Sequence, residues 1–299
     1  SFSPLVAFLE KMLNDGILNE GDHICYSADE DINSIPLHYL DFLDGILLDY
    51  FSISKVHSAF QIDYLLQSGT KAKIEKLYGI IVPFNDESKG DKSESFLASL
   101  FEPIKFLSEN VSEQTILNGK KATPEQFLSE EILLHSIIHF STHGWFPVSG
   151  QSPYNHSYLL LSDGKQLPFK DEIIAQDSPD WNGILTPGKI VESGINLKGS
   201  HISLMACISG LAKEGIGGDA LGLDWAFLQA GAASLISTHW HISAAAAEKF
   251  FTAFYKKWLI DGQIKASAYR ETILELIKDN RSPEELHKWT AFTLTGDFR

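Results

Sequence analysis

The chain is poor in cysteine and in arginine. Two cysteines, Cys25 and Cys207, occur among 299 residues, which is too few for a disulfide framework or a Cys-rich zinc site. Only three arginines are present, and all of them follow residue 269. The formal net charge of −15 argues against the basic surface that nucleic acids require, so we expect no nucleic-acid partner. Scarce thiols favour a reducing, cytoplasmic compartment.

Long apolar runs are missing as well. No run reaches the ~18–20 residues that a membrane-spanning helix needs, and no basic stretch followed by an apolar one marks a signal peptide. We therefore expect no membrane contact. What the sequence has is 44% hydrophobic and 11% aromatic residues over 299 positions, enough to build one large core or two smaller ones.

The N-terminal segment predicts a short amphipathic helix over Pro4–Leu13. We expect residues 1–20 to form an N-terminal helix of the domain or the remnant of an upstream module. Residues 21–299 are predicted to form a single domain.

Short apolar runs predict buried strands, and most of them are rich in Ile, Val, Leu, Tyr or Phe. Their apolar character is continuous rather than alternating, which is typical of strands covered on both faces. The predicted strands are Ile24–Ser27, Phe51–Val56, Leu77–Pro83, Ile137–Ser141, Tyr158–Leu161, Ile202–Ala206 and Ser234–Thr238.

Helical patterns lie between these runs, and strands that alternate with helices predict an α/β fold with a mostly parallel sheet. The pattern from residue 244 places Phe250, Phe254 and Trp258 on one apolar face. The predicted helices after the N-terminal one are Ser95–Ser108, Thr123–His135, Asp219–Ala230, Ala244–Leu259 and Ile264–Asp279.

Two predicted strands end in residues that can carry chemistry. One apolar strand is followed by His143 and Gly144, and another is followed directly by Cys207. Catalytic groups of open α/β sheets lie beyond the carboxyl ends of strands. An imidazole beside a thiol takes up its proton and stabilises the thiolate. Either residue alone is more often structural, but the pair predicts a nucleophile with its base. Cys25, within the first predicted strand, is interpreted as a core residue.

Several segments, mostly in the C-terminal third, resemble the CHAT peptidase domain, a relative of caspases and separases. Looser similarity extends back to about residue 22. The segments that carry the resemblance most specifically are Leu204–Cys207, Gly217–Phe227, Ala230–Trp240, Phe250–Tyr255 and Trp289–Asp297.

The resemblance implies a caspase-like, three-layer α/β/α sandwich and a cysteine endopeptidase with a His143/Cys207 dyad. Cys207 would attack the scissile carbonyl of a protein substrate, and the backbone N–H groups of Gly144 and Cys207 would hold the oxyanion. No cofactor is implied. Such domains are commonly fused to or partnered with repeat or sensor modules, so we expect control by a regulatory partner.

The chain departs from the family pattern at His239 and His241, where the family usually has Leu-Trp-Pro-Val. A His-x-His pair can bind metal, but no further ligands are evident nearby, so no metal site is predicted and both residues are interpreted as lining the substrate cleft. Acidic residues near the cleft, among them Asp163, Asp219 and Asp224, predict cleavage after Arg or Lys. Lysines in the same region leave a preference for Asp open.

Two competing functions remain. A catalytically silent interaction module on the same fold is the main alternative, although both dyad residues are present. A hydrolase acting on other bonds would be expected to carry a nucleophilic serine in Gly-x-Ser-x-Gly, which the sequence lacks.

Overall fold

The structure, a computed structural model, describes residues 2–27, 35–58, 74, 76–83, 92–132, 136–145, 153–168, 181–206 and 222–299. Thirteen strands are described, and eight of them form one large sheet. In chain order they are β1 (His23–Ser27), β2 (Asp41–Phe42), β3 (Gly45–Ile46), β4 (Ser52–Val56), β5 (Lys76–Ile81), β6 (Glu113–Asn118), β7 (Ile137–Ser141), β8 (His143–Trp145), β9 (Tyr158–Leu160), β10 (Ile184–Leu185), β11 (His201–Met205), β12 (Ser234–Thr238) and β13 (Phe292–Gly296).

Ten α-helices are described in the same ranges, and none of the helices described there is long and apolar enough to cross a membrane. A π-helical turn, Lys256–Ile260, continues the eighth. The helices are α1 (Ser3–Asn14), α2 (Leu47–Tyr50), α3 (Lys92–Asn110), α4 (Pro124–Leu128), α5 (Pro153–His156), α6 (Pro187–Ser193), α7 (Leu223–Gln229), α8 (Ala244–Tyr255), α9 (Lys265–Leu276) and α10 (Pro283–Trp289).

The large sheet has the strand order β1-β4-β13-β12-β11-β7-β5-β6. Strands β12, β11, β7, β5 and β6 are mutually parallel. At the other end β1, β4 and β13 are also parallel to one another, but β13 runs antiparallel to β12. The carboxyl ends of β7 and β11 therefore meet at one edge of the sheet, where His143 follows β7.

Helices cover both faces of the large sheet and make three layers. On one face α3, α8 and α9 pack against strand residues such as Ile137 and Ile236. On the other face α4, α6 and α7 pack against residues such as Ile138 and Leu235, together with the small sheet β8–β10. This arrangement confirms the predicted fold class, an α/β/α sandwich with a mostly parallel sheet.

Several elements differ from those predicted. The helix predicted over Thr123–His135 ends at Leu128, because the hydroxyl of Ser129 donates to the Gln126 carbonyl oxygen (2.9 Å) and competes with the next helical turn. Six strands had no predicted counterpart: β2, β3, β6, β8, β10 and β13. Residues 219–221 of the predicted helix Asp219–Ala230 lie outside the described residues, and α7 begins at Leu223.

The N-terminal helix α1 is packed onto the domain. Its Leu9 is buried in a cluster with Phe42, Leu47 and Phe51, at the side of the sheet that ends in β1 and β4. The predicted helix is present, and the boundary at residue 20 stays a prediction. Cys25, predicted as a core residue, is only half-buried because β1 is an edge strand.

Candidate active site

The base candidate His143 lies just past the carboxyl end of β7. Thr142 links the two strands there, because its backbone N–H donates to the carbonyl oxygen of Met205 in β11 (3.2 Å). Its hydroxyl donates to the Leu160 carbonyl oxygen in β9. His143 is half-buried and Gly144 is buried, both within β8. The His143 backbone is thus fixed to the large sheet and to the small one.

The nucleophile candidate Cys207 lies outside the described residues, as does Asp219. The two residues before the cysteine are described: Met205 ends β11 opposite Ser141 of β7, and Ala206 is buried. The Ala206 carbonyl oxygen accepts a hydrogen bond from the hydroxyl of Thr238, at the end of β12 (2.8 Å).

The segment after β12 is held against α10. The indole of Trp240 stacks on His287 with ring centroids 4.4 Å apart, and its Nε1–H donates to the His287 carbonyl oxygen (2.8 Å). The backbone N–H of His239 donates to the Ala291 carbonyl oxygen (2.9 Å). His241 is exposed in this segment, whereas His239 is buried.

The predicted substrate-binding acid Asp163 lies in an exposed loop after β9. Its Oδ1 accepts the backbone N–H groups of Lys165 and Gln166, both at 2.8 Å. The carboxylate therefore shapes its own loop. A role of Asp163 in binding substrate stays a prediction.

Asp224 lies in the first turn of α7 and is only 2% exposed. Its Oδ2 accepts a hydrogen bond from the Ser237 hydroxyl (2.9 Å). Burial raises the pKa of Asp224 to about 6, while the nearby Lys55 ammonium and the Ser237 hydrogen bond act in the opposite direction. Burial lowers the pKa of Lys55, and the attraction of Asp224 opposes that shift. These two buried residues are electrostatic partners.

Further buried polar side chains surround this pair, on the face that α7 covers. Burial, together with the Lys55 charge, lowers the pKa of His239 to about 3. Among the described residues, neither ring nitrogen of His239 has a hydrogen-bond partner, and the same is true of Asp224 Oδ1 and of the hydroxyls of Thr293 and Thr295. We call this group the Lys55 cluster: Lys55, Asp224, Ser237, His239, Thr293 and Thr295.

A second buried polar group lies on the face that α8 covers. His139 Nδ1 is hydrogen-bonded to the Tyr255 hydroxyl (2.6 Å), which donates to the Ser203 hydroxyl (2.6 Å). His139 Nε2 is hydrogen-bonded to the Ser141 hydroxyl (3.1 Å). Burial lowers the pKa of His139 to about 3, so the ring stays neutral near pH 7. These four residues, the His139 network, connect β7 and β11, the strands that His143 and Cys207 follow in the sequence.

Sequence reasoning missed Lys55, Thr238 and the His139 network. Lys55 and His139 did give a signal in the sequence, because each lies inside an apolar strand. A lysine or a histidine at such a position is seldom fully buried without a partner. Nothing in the sequence pairs Thr238 with Ala206. Among the described residues, no group of three or more His, Cys, Asp and Glu side chains could hold a metal ion.

The fold is similar to that of caspase-like cysteine peptidases. The separase–securin complex of Saccharomyces cerevisiae aligns with a TM-score of 0.55 and 16% identity, over 88% of this chain and 14% of that chain. The Arg-specific cysteine proteinase gingipain R aligns with a TM-score of 0.62 and 9% identity, over 97% of this chain and 67% of that chain.

The CHAT domain family matches residues 6–297, so the chain belongs to that family. Among curated proteins, tetratricopeptide repeat protein 28 is similar in mouse (26% identical) and in human (25% identical). Each match covers 60% of this chain and 8% of the relative. The chain thus corresponds to a small part of these long relatives.

Proposed function

We propose that the chain is a cysteine endopeptidase in which His143 and Cys207 act as base and nucleophile. The observation that carries the proposal is the register of two neighbouring parallel strands, in which Ser141 lies opposite Met205. In the sequence His143 follows the end of β7 by two residues, and Cys207 follows the end of β11 by two residues. Both residues therefore come after the carboxyl ends of neighbouring parallel strands, which are about 4.8 Å apart, and this placement supports an imidazole and a thiol that act together.

The reaction follows from these two groups. His143 takes the thiol proton, and the sulfur of Cys207 forms a bond to the scissile carbonyl carbon. The N–H groups of Gly144 and Cys207 hold the resulting oxyanion. Its collapse breaks the C–N bond as His143 returns the proton to the leaving amine. Water then hydrolyses the thioester and frees the second product.

Control by a partner is part of the proposal. The mouse and human relatives are named for tetratricopeptide repeats, and the separase structure is of a complex with securin. We therefore expect cleavage to depend on a repeat module or a regulatory protein, fused or separate.

A preference for Arg or Lys before the scissile bond is the expected specificity. Gingipain R is Arg-specific by name, and the net charge of this chain is −15. Asp163 and Asp224 already have partners within the chain. Of the three acids named as substrate-binding candidates, Asp219 is therefore the one we favour for an ion pair with a basic substrate side chain.

The test compares the wild-type protein with Cys207→Ala, His143→Ala and the matched cysteine control Cys25→Ala. Each is incubated with a proteome-derived peptide library, and cleaved peptides are mapped by mass spectrometry. We expect both dyad variants to lose several powers of ten in rate, because nucleophile and base act as a unit. Cys25→Ala should cleave normally, with Arg or Lys before each cut.

Near-normal cleavage by Cys207→Ala would refute the dyad. A folded wild-type protein that cleaves nothing, alone or with a cognate partner, would favour the silent interaction module instead. Dominant cleavage after Asp or after apolar residues would reject the expected specificity but not the dyad.

A further inference from the structure

The strand that leads to Cys207 is paired unequally with its two neighbours. Its pairing with β7 continues to its last residue, where Met205 lies opposite Ser141. Its pairing with β12 ends earlier, at Ser203 and Ile236. Towards the catalytic edge, β11 is therefore no longer joined to β12 by backbone pairing.

A side chain makes the connection that the backbone does not. Thr238 Oγ1–H donates to the carbonyl oxygen of Ala206 at 2.8 Å, a normal length for an O–H···O bond. Thr238 is 0% exposed and Ala206 is 5% exposed, so the bond is shielded from water. The donor end is fixed, because His239 bonds to Ala291 and Trp240 stacks on His287 directly after it.

We propose that Thr238 is a positioning residue for the oxyanion site. The Ala206 carbonyl belongs to the peptide group whose N–H is that of Cys207. Because a peptide group is planar and trans, holding the carbonyl oxygen also sets the direction of the N–H. A hydrogen bond to the carbonyl also polarises the group, which strengthens the N–H as a donor. The inference rests on the proposed function, in which that N–H holds the oxyanion.

A purely structural role would have different consequences. If the Thr238 hydroxyl only satisfies a buried carbonyl, its loss lowers stability and affects every catalytic step alike. If it orients the oxyanion donor, its loss affects the steps in which negative charge develops on oxygen. Alkylation of Cys207 by iodoacetamide involves no such oxygen and should remain unchanged.

The kinetic test uses Thr238→Val, Thr238→Ser and the control Thr293→Val, which also removes a buried threonine hydroxyl from a neighbouring strand. The probes are a peptidyl-Arg aminomethylcoumarin substrate and the matching peptidyl-Arg aldehyde. Removing an oxyanion donor outright lowers kcat by about 10²–10³-fold. Thr238→Val leaves the Cys207 N–H in place but misdirects it, so we expect kcat to fall on the order of 10-fold. KM should stay unchanged, and aldehyde affinity should fall by the factor by which kcat/KM falls.

Thr238→Ser, which keeps the hydroxyl, should have kcat and aldehyde affinity near the wild-type values. Thr293→Val should change neither of these two quantities. An equal loss in Thr293→Val, or an equal loss in the iodoacetamide rate of Thr238→Val, would overturn the inference.

A second measurement does not need catalysis. Ala206-Cys207 is the only Ala-Cys peptide in the sequence, so labelling with [1-¹³C]alanine and [¹⁵N]cysteine marks that one group in an NMR correlation experiment. We expect Thr238→Val to shift both nuclei and Thr238→Ser to leave them nearly in place. Unmoved signals in Thr238→Val would reject the inference whether or not the protein cleaves peptides. Displaced signals in a protein that cleaves nothing would reject the proposed function and leave the orienting bond established.

Discussion

The two faces of the large sheet each carry a buried polar group, and the two groups differ in how well their atoms are satisfied. In the His139 network the ring nitrogens and the Tyr255 hydroxyl are all hydrogen-bonded. In the Lys55 cluster both ring nitrogens of His239 and one oxygen of Asp224 have no hydrogen-bond partner within the part of the chain that the structure describes. Burial without partners is energetically costly. The His139 network should therefore stabilise the pairing of β7 and β11. The stability of the Lys55 cluster should depend on the charges of Lys55 and Asp224.

The largest effect on stability is expected from a substitution that disrupts the Lys55 cluster. Lys55→Met leaves the Asp224 carboxylate buried without its electrostatic partner, and we expect a loss of about 3–5 kcal/mol in the free energy of unfolding at pH 8. The loss should be smaller at pH 5, where Asp224 can take up a proton. Urea unfolding at both pH values measures it.

The matched control is the double variant Lys55→Met/Asp224→Asn, which removes both charges and should recover most of the stability. An equal loss at pH 5 and pH 8 would show that Lys55 does not compensate Asp224.

The pH dependence of stability separates the two groups further. Burial lowers the pKa of His139 and His239 to about 3, so the unfolded chain binds these protons more readily than the folded one. The stability that these neutral histidines contribute is fully present above pH 6.5 and is lost as the pH falls. At pH 5 the free energy of unfolding should be lower by about 2 kcal/mol for each histidine. Asp224 acts oppositely, because its folded pKa of about 6 lies above the unfolded value of 3.8.

For this reason Asp224→Asn should make stability rise more steeply between pH 4 and pH 6 than in the wild type. The measurement is the free energy of unfolding from pH 4 to pH 8 for both proteins. Constant wild-type stability from pH 7 to pH 5 would contradict the assignment of neutral, buried histidines.

A smaller effect compares the two histidines directly. His139→Leu leaves the hydroxyls of Tyr255 and Ser141 short of a partner and should cost about 1–3 kcal/mol. His239→Leu removes two unsatisfied nitrogens and should leave stability unchanged or raise it by about 1 kcal/mol. Thermal and urea unfolding of the two variants decide the comparison. A larger loss from His239→Leu than from His139→Leu would reverse our assignment of the two groups.

Much of the fold could be predicted because strong local patterns determine it. The strands Ile137–Ser141 and Ser234–Thr238 were predicted with the observed bounds, since continuous apolar runs mark buried strands. Strand β13, Phe292–Gly296, was missed because threonines alternate with its apolar residues, so it lacks the continuous apolar run by which the other strands were predicted. Its reversed direction depends on which strand it contacts, which a local pattern does not encode.

The candidate site was predictable only in part. His143 is recognisable because it follows a buried strand, β7, and the structure places β7 next to β11, the strand that leads to Cys207. The partners of His139 could not be predicted, since Tyr255 is 116 positions away and lies on a helix of the covering layer. The contact between Thr238 and Ala206 likewise depends on tertiary geometry across two strands.

The most direct test of the central claim is the rate of Cys207 alkylation by iodoacetamide as a function of pH. We predict that the wild-type thiol reacts well below the pKa of about 8.5 of a free cysteine, because His143 stabilises its thiolate. In His143→Ala the profile should shift to about 8.5. Cys25 is the internal control, since burial raises the pKa of its thiol. Identical profiles for Cys207 in the wild type and in His143→Ala would contradict the dyad.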